Sequence, residues 1–274
     1  MQDLTGKTAF VTGGASGIGL ALARAFVAEG MAVMLADIEA GPLNAAVQQL
    51  TDQGGRVAGV VCDVADLKNV EAAAQSAFDL FGKVHIVCNN AGVASGASLN
   101  PVPVEDWRWV MDVNLMGVVH GVAAFLPHIR AHGEGGHFVN TASLAGMLNT
   151  MGFSPYAASK YAVVAASEGL HQQLADEAIG VSVLCPAFVR TRIHQSGRNR
   201  PAELTPVPVV AAGTPGAGFA AAIAALVEGG KEPDEIAAAT LAAIRSGDLY
   251  IFTHPDAVEA VEARFNTIVA AMKA

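Results

Sequence analysis

Basic residues are in short supply. The 274-residue chain sets 16 Lys and Arg against 25 Asp and Glu, a formal charge of −9. A protein that coats a phosphate backbone needs clustered cations. The chain has no such cluster and no run of like charge, so nucleic acid is excluded as a partner. Cysteine is limited to Cys62, Cys88 and Cys185. No metal-ligand spacing links them, and each sits in or beside an apolar run, so buried reduced thiols are expected and no metal. Long apolar runs are also lacking. The longest, Val113 to Leu126, carries Asn114 and His120 and falls short of a spanning helix, so no membrane partner is expected. The start, Met1-Gln2-Asp3-Leu4-Thr5, lacks a basic region followed by an apolar segment and a cleavage site. A cytoplasmic location is the expectation.

What is present is apolar. Hydrophobic residues make up 52% and charged residues 15%, and the mean hydropathy is +0.40. Much of the surface is therefore expected to be apolar or covered by another subunit. Short β-rich runs alternate with helical ones. The strand-like runs are Thr8–Thr12, Ala32–Asp37, Val57–Cys62, Val84–Asn89, His137–Ala142, Val181–Cys185 and Leu249–Thr253. Helical patterns lie near 17–29, 42–53, 66–81, 104–131, 156–178, 233–246 and 256–272. Near-continuous apolar strands fit a parallel sheet buried on both faces. The order predicts an α/β fold, a doubly wound, Rossmann-type parallel sheet of about seven strands, as a single domain over 1–274. Residues 195–230 break the rhythm with Pro201, Pro206, Pro208, Gly213, Pro215, Gly216 and Gly218. Such a long apolar insertion reads as a lid over a substrate pocket, with a short helix over Ala220–Val227.

The first βα turn reads Thr12-Gly13-Gly14-Ala15-Ser16-Gly17-Ile18-Gly19. Glycines allow the tight turn and let backbone approach a pyrophosphate, where a helix N-terminus favours anions. Asp37 ends the second strand about 20 residues on, placed to accept from ribose hydroxyls and to repel a 2′-phosphate. No Arg or Lys stands in the turn or directly after Asp37, where Ile38 and Glu39 follow. Charge therefore favours NAD over NADP.

The spacing Gly13-x-x-x-Gly17-x-Gly19 resembles the nucleotide turn of the short-chain dehydrogenase/reductase family. Cys62-Asp63-Val64 resembles that family's acid after strand 3, which meets the adenine. Asn89-Asn90-Ala91-Gly92 resembles its segment after strand 4, which passes beside the cofactor. Ser143, Tyr156 and Lys160 match its Ser–Tyr–Lys set, and Asn114 its fourth member. By resemblance, Asn114 distorts its helix and holds a water that links Lys160 to solvent. After strand 6, Pro186, Val189 and Thr191 fit the family's nicotinamide contacts, whereas Ala187 replaces its usual glycine.

The residues give the same chemistry a physical reason. Tyr156 and Lys160 are four apart, so on a helix they share a face about 5–6 Å apart. A phenol has a pKa of about 10; a neighbouring ammonium is expected to lower it. A tuned Tyr156 takes the proton of a secondary alcohol as hydride leaves, and Ser143 holds the substrate oxygen.

The pocket is expected from Ser143, Val93, Met147, Met151, Phe153 and Phe188, with Ala94 and Leu148 nearby. Most are apolar, so the substrate is expected to be an apolar, bulky or aromatic secondary alcohol or ketone. The tail Gly247-Asp248-Leu249-Tyr250-Ile251-Phe252-Thr253-His254-Pro255, with Arg200-Pro201-Ala202, resembles family members that oxidise benzylic alcohols. The helix from Tyr156 carries small or apolar residues almost all round its first half, which requires a partner as well as the sheet. The 104–126 helix is similar, and the resemblance implies a homodimer or homotetramer. Three other readings stand beside this one: an NADPH-dependent biosynthetic carbonyl reductase, a non-catalytic nucleotide-binding protein, and isomerase or dehydratase chemistry on the same scaffold.

Overall fold

The computed structural model describes residues 1–95, 102–149, 152–205 and 213–273. Seven strands form one sheet: β1 (Thr8–Thr12), β2 (Ala32–Asp37), β3 (Arg56–Val61), β4 (Ile86–Asn89), β5 (Gly136–Thr141), β6 (Ile179–Cys185) and β7 (Tyr250–Phe252). Their order is β3-β2-β1-β4-β5-β6-β7, and every pairing is parallel. The expected doubly wound sheet is therefore found. Its chain order reverses between β1 and β4, and side chains beyond the carboxyl ends of those strands face a crevice there.

One face of the sheet carries α1 (Gly17–Ala28), α2 (Ala40–Asp52) and α8 (Pro233–Ser246). Their core joins Leu22 and Phe26 to Leu43, Leu50, Ile236 and Ile244. The other face carries α3 (Leu67–Phe81), α5 (Gly117–His132) and α6 (Ser154–Gln173). Phe10, Val87 and Phe138 from the strands meet Val70, Phe125, Ile129 and Leu170 there. The inner strands β1 and β5 are buried along their whole length, β5 with His137 and Asn140 hydrogen-bonded inside. The sheet edge β3 alternates between exposed and half-buried residues, and Cys62 falls just past its end. All three cysteines are buried and unpaired in disulfides; burial pushes the Cys62 and Cys185 thiols up to about 12.

Two expectations about helices need correction. The single helix expected at 104–131 is divided: α4 (Val104–Met111), a π turn at Asp112–Met116, then α5. The side chain of Asn114, fully buried, bonds to other segments there and draws the turn out of α geometry. Together the three pieces form a helical run, Val104–His132, of 29 residues and mean hydropathy 1.5, long and apolar enough by composition to cross a membrane. The apolar helical run is thus longer than the Val113 to Leu126 stretch weighed in the sequence as a span, while its bounds match the helix expected at 104–131. The run lies against the sheet, with Val110, Val118, Phe125 and Ile129 buried. The second correction concerns 195–230. A 3-10 segment occupies Ile193–Asn199, and α7 spans Pro215–Glu228, starting five residues before the expected Ala220. Pro215 reads as a breaker in sequence but sits at the first turn of α7, where its missing N–H costs nothing. The Thr214 hydroxyl accepts from Ala217 N and caps the helix.

Candidate active site

Strand β1 delivers the chain to the glycine turn and α1 leaves it. Gly13 and Gly17 have φ of +63° and +54°, a region costly for residues with a Cβ. Gly19 stands behind the turn, where a Cβ would lie 2.2 Å from the Gly13 carbonyl oxygen. Ser16 occupies the N-cap of α1 without a side-chain capping bond, and no acid occupies the first turn. The first amides of α1 are thus free of side-chain caps and face the cleft, a setting suited to a pyrophosphate. Thr12 braces the turn: its hydroxyl accepts from Asn90 N at 2.9 Å and Ala91 N at 3.0 Å. The Asn90 side chain donates to Thr12 O and accepts from Thr141 Oγ1, tying β1 to the end of β5.

A cleft of about 1390 Å³ runs across the carboxyl ends of the strands. Gly13, Ser16, Gly17 and Ile18 line its middle. Asp37, Cys62, Asp63 and Val64 line one end, and Asn90, Ala91 and Gly92 its floor. The Asp37 carboxylate accepts from Ala15 N and Glu39 N, both at 3.0 Å, which fixes its orientation. Three-dimensional proximity adds what adjacency in sequence did not: Arg198 and Arg192 lie within 2.8 and 3.9 Å of Glu39, two residues beyond Asp37. Arg198 holds the Glu39 carboxyl below its usual range.

At the other end stand Ser143, after β5, and Tyr156 and Lys160, on the first turns of α6. All three line the cleft. Lys160 Nζ lies 5.5 Å from the Tyr156 ring centroid and donates to Thr141 O at 2.8 Å. The lysine is buried, and burial pulls its pKa down to about 8. Ser143 Oγ accepts from Ala145 N and donates to Pro186 O, which aims it across the strand ends.

The Tyr156 pKa departs from the sequence expectation. Burial raises it above the usual phenol value, and the Ser143 hydroxyl beside it offsets only part of that pull. The Lys160 ammonium, engaged by the Thr141 carbonyl, does not reverse the balance in the free protein. Asn114 lies beneath the cleft rather than in its wall. Its Oδ1 accepts from Val93 N, and its Nδ2 donates to Val93 O and to Ser159 Oγ. Ser159 in turn donates to Tyr156 O, so the π turn is wired to the start of α6. A Cβ on Gly92 would lie 3.4 Å from both Asn114 Oδ1 and Lys160 Nζ. The glycine therefore leaves open the space between those two groups.

Pro186, Phe188, Val189 and Thr191 line the cleft after β6. A parallel bridge to Lys231 uses Phe188 O and Arg190 N, so the amide and carbonyl of Val189 point away from it. Val93 and Phe153 also line the cleft. Met147 does not: it is packed in the core with Val118, Val163 and Val183. It follows the 3-10 turn Leu144–Gly146, whose geometry aims Met147 inward and leaves Leu144 and Leu148 to face the cleft. Met151 falls outside the described residues. Sequence reading missed Thr141, Glu39 and Arg198, and the apolar wall from Trp109, Leu204 and Ile223. For Ile223, the apolar face of a lid helix was the available signal. For the others, contacts between separate elements, such as Glu39 with Arg198 and Thr141 with Asn90, left none.

A glycine turn at the switch point of a doubly wound sheet, joined by one cleft to a Tyr–Lys pair, defines a dinucleotide-dependent α/β enzyme. Residues 7–202 match the short chain dehydrogenase family. The chain is 33% identical to a C alpha-dehydrogenase of Sphingobium sp. strain SYK-6, over 98% of this chain and 87% of the relative. It is 36% identical to a 1-deoxy-11-beta-hydroxypentalenate dehydrogenase of Streptomyces avermitilis, over 97% and 92%. A solved short chain dehydrogenase/reductase from Burkholderia phymatum, in complex with NAD, superposes with a TM-score of 0.94 at 38% identity, covering 99% of this chain and 97% of that one. The chain belongs to the short-chain dehydrogenase/reductase family and is an oxidoreductase of the kind that uses a nicotinamide nucleotide.

Proposed function

We propose that the protein is an NAD-dependent dehydrogenase of a secondary alcohol, or reductase of the matching ketone, with an apolar, bulky or aromatic substrate. The observation that carries this reading is the single cleft joining Asp37 to Ser143, Tyr156 and Lys160, with Phe153, Phe188 and Ile223 along its walls. The free amides at Gly17 and Ile18 suit the pyrophosphate, Asp37 the adenosine ribose hydroxyls, Asp63 and Val64 the adenine. Lys160 suits the second ribose, and the Val189 backbone with Thr191 the carboxamide. When bound, the nicotinamide ring supplies the hydride acceptor or donor.

The protein's own residues do the acid–base work. Ser143 holds the substrate oxygen, and Tyr156 takes its proton as the carbon gives up hydride. Burial favours the protonated phenol in the free protein, which suits carbonyl reduction directly. Oxidation needs the phenolate, so cationic charge next to Tyr156 must outweigh burial in the complex. Lys160 contributes part of it; the oxidised nicotinamide ring contributes the rest. Oxidation is expected to quicken as pH rises.

Residues 195–230 act as the lid, through the 3-10 segment and α7. The Phe153 and Phe219 rings, 6.1 Å apart, clasp α7 to the loop before Tyr156. The exposed small face of α6 at Ala165 and Ala166, with the exposed Met116 just before α5 and Val119 on it, supports a homodimer or homotetramer. Tyr156→Phe tests the core of the reading. It should cut turnover about 10³-fold or more while leaving NADH binding intact; retained turnover would overturn the assignment.

A further inference from the structure

The segment after β6 crosses the cleft as a strap. It begins at Thr191, whose Cγ2 would lie 3.0 Å from a Cβ on Gly17 in the glycine turn. It ends at Arg200, whose guanidinium pairs with the buried Asp106 of α4 at 2.7 Å and donates to Thr205 O. Between these points the strap touches the far wall through one carboxylate oxygen. Glu39 Oε1 accepts from Arg198 Nε at 2.9 Å and from Asn199 Nδ2 at 3.0 Å, while Arg198 Nη2 lies 2.8 Å away. Arg198 Nη1 also donates to the carbonyls of Arg192 and Gln195, so the same guanidinium staples the strap's own turn. Glu39 is two residues beyond Asp37, and its N–H donates to the Asp37 carboxylate. Arg192, Arg198, Asn199, Asp37 and Glu39 all line the cleft.

We propose that Glu39 is a positioning residue for the cofactor: it latches the strap Ile193–Asn199 over the adenosine half of the cleft and so controls dinucleotide release. The inference rests on the cofactor reading above. A dinucleotide seated between Asp37 and Tyr156 lies under this strap and leaves only when it lifts. The Arg200–Asp106 pair, one residue beyond Asn199, anchors the same end of the strap to α4 and serves as the hinge, so the contact to break for Ile193–Asn199 to lift is the cluster on Glu39 Oε1. Glu39 has a second effect through charge. It balances the Arg192 and Arg198 guanidiniums beside the ribose end, and so denies them to a 2′-phosphate.

The test is NADH release, followed by stopped-flow fluorescence, in Glu39→Gln, Arg198→Gln and the double variant. Each single variant should release NADH about fivefold faster, the size expected of a partly shielded ion-pair network. The double variant should be no faster than either, because both remove the same latch. The KM for NAD should rise without a matching rise for the alcohol. The ratio of NAD to NADP affinity should fall in Glu39→Gln, a change a merely structural acid would not produce. Without any dinucleotide, trypsin should cut after Arg192 and Arg198 faster in Glu39→Gln than in the native chain. Unchanged release in both single variants, or additive effects in the double, would overturn the latch. Failure of the native chain to bind either dinucleotide would overturn the functional reading as well.

Discussion

Asn114 closes both hydrogen-bonding groups of a single residue, Val93. Its Oδ1 accepts the Val93 N–H at 2.8 Å, and its Nδ2 donates to the Val93 carbonyl at 3.0 Å. Val93 follows β4 in a loop that no neighbouring strand pairs, and it is buried at the cleft wall. A buried backbone amide and carbonyl need partners, and the side chain drawn out by the π turn supplies both.

Replacing that side chain should therefore cost stability as well as activity. In Asn114→Ala, Val93 N–H and C=O and the Ser159 hydroxyl each lose a partner. The expected loss is about 3 kcal/mol, as two or more buried groups go unsatisfied, read as a lower urea midpoint at unchanged slope. Turnover should fall too, because Ser159 links the π turn to the Tyr156 carbonyl. Full stability in the variant would mean that water replaces the amide at no cost.

Much of the site could be read from the chain because its parts are local. Gly13 to Gly19 lie in one turn, and Tyr156 and Lys160 lie four apart on one helix. The sheet was legible for a similar reason, since its strands are short, largely apolar runs, even where β5 buries His137 and Asn140 among them. The π turn was legible only through the resemblance, which places a helix distortion at Asn114; the residues alone gave no sign of it, because its cause is the partners at Val93 and Ser159, 21 and 45 residues away. Met147 was misplaced because the 3-10 turn Leu144–Gly146 turns it into the core. The balance at Tyr156 in the free protein was not legible, because spacing shows that a lysine is near but not that withdrawal from water opposes ionisation of the phenol, or that Thr141 claims the ammonium.

Asp37 should govern the choice of nucleotide. Its two oxygens are oriented by Ala15 N and Glu39 N, leaving lone pairs for ribose hydroxyls and negative charge where a 2′-phosphate would sit. Asp37→Ser should weaken NAD and improve NADP, with Arg192 and Arg198 nearby as phosphate partners. A shift of about tenfold or more in the ratio of kcat/KM values is expected, equivalent to about 1.4 kcal/mol. Equal losses with both nucleotides would show that Asp37 serves only to shape the turn.

Gly19 lies outside the cleft wall and should still be intolerant. A Cβ there would overlap the Gly13 carbonyl at 2.2 Å and crowd Asn90 Nδ2 at 2.7 Å. Backbone must shift to admit it, and the shift passes directly into the turn that faces the pyrophosphate. Gly19→Ala should weaken NADH binding about tenfold or more, whereas Gly41→Ala, with open space around its Cβ position, should not. Fluorescence titration of the two variants makes the comparison.

His137 should set the acid limit of the fold. The ring is buried in β5, its Nε2 donates to Ser182 Oγ at 2.8 Å, and that hydroxyl donates onward to Asp248 O. The Nδ1 side is packed against Gly180, where a Cβ would lie 2.3 Å away. Burial accordingly pulls the His137 pKa down to about 4. An unfolded chain binds that proton near pH 6.5, so between pH 6.5 and 4 the unfolded state holds more protons and stability falls as pH falls. The contribution is complete above pH 6.5 and lost on approaching pH 4. Between pH 7 and 4.5 it amounts to about 2 kcal/mol. Urea unfolding at the two pH values should show His137→Gln, less stable at pH 7, losing about that much less than the native chain on acidification. An identical loss in both would place the acid sensitivity in other groups.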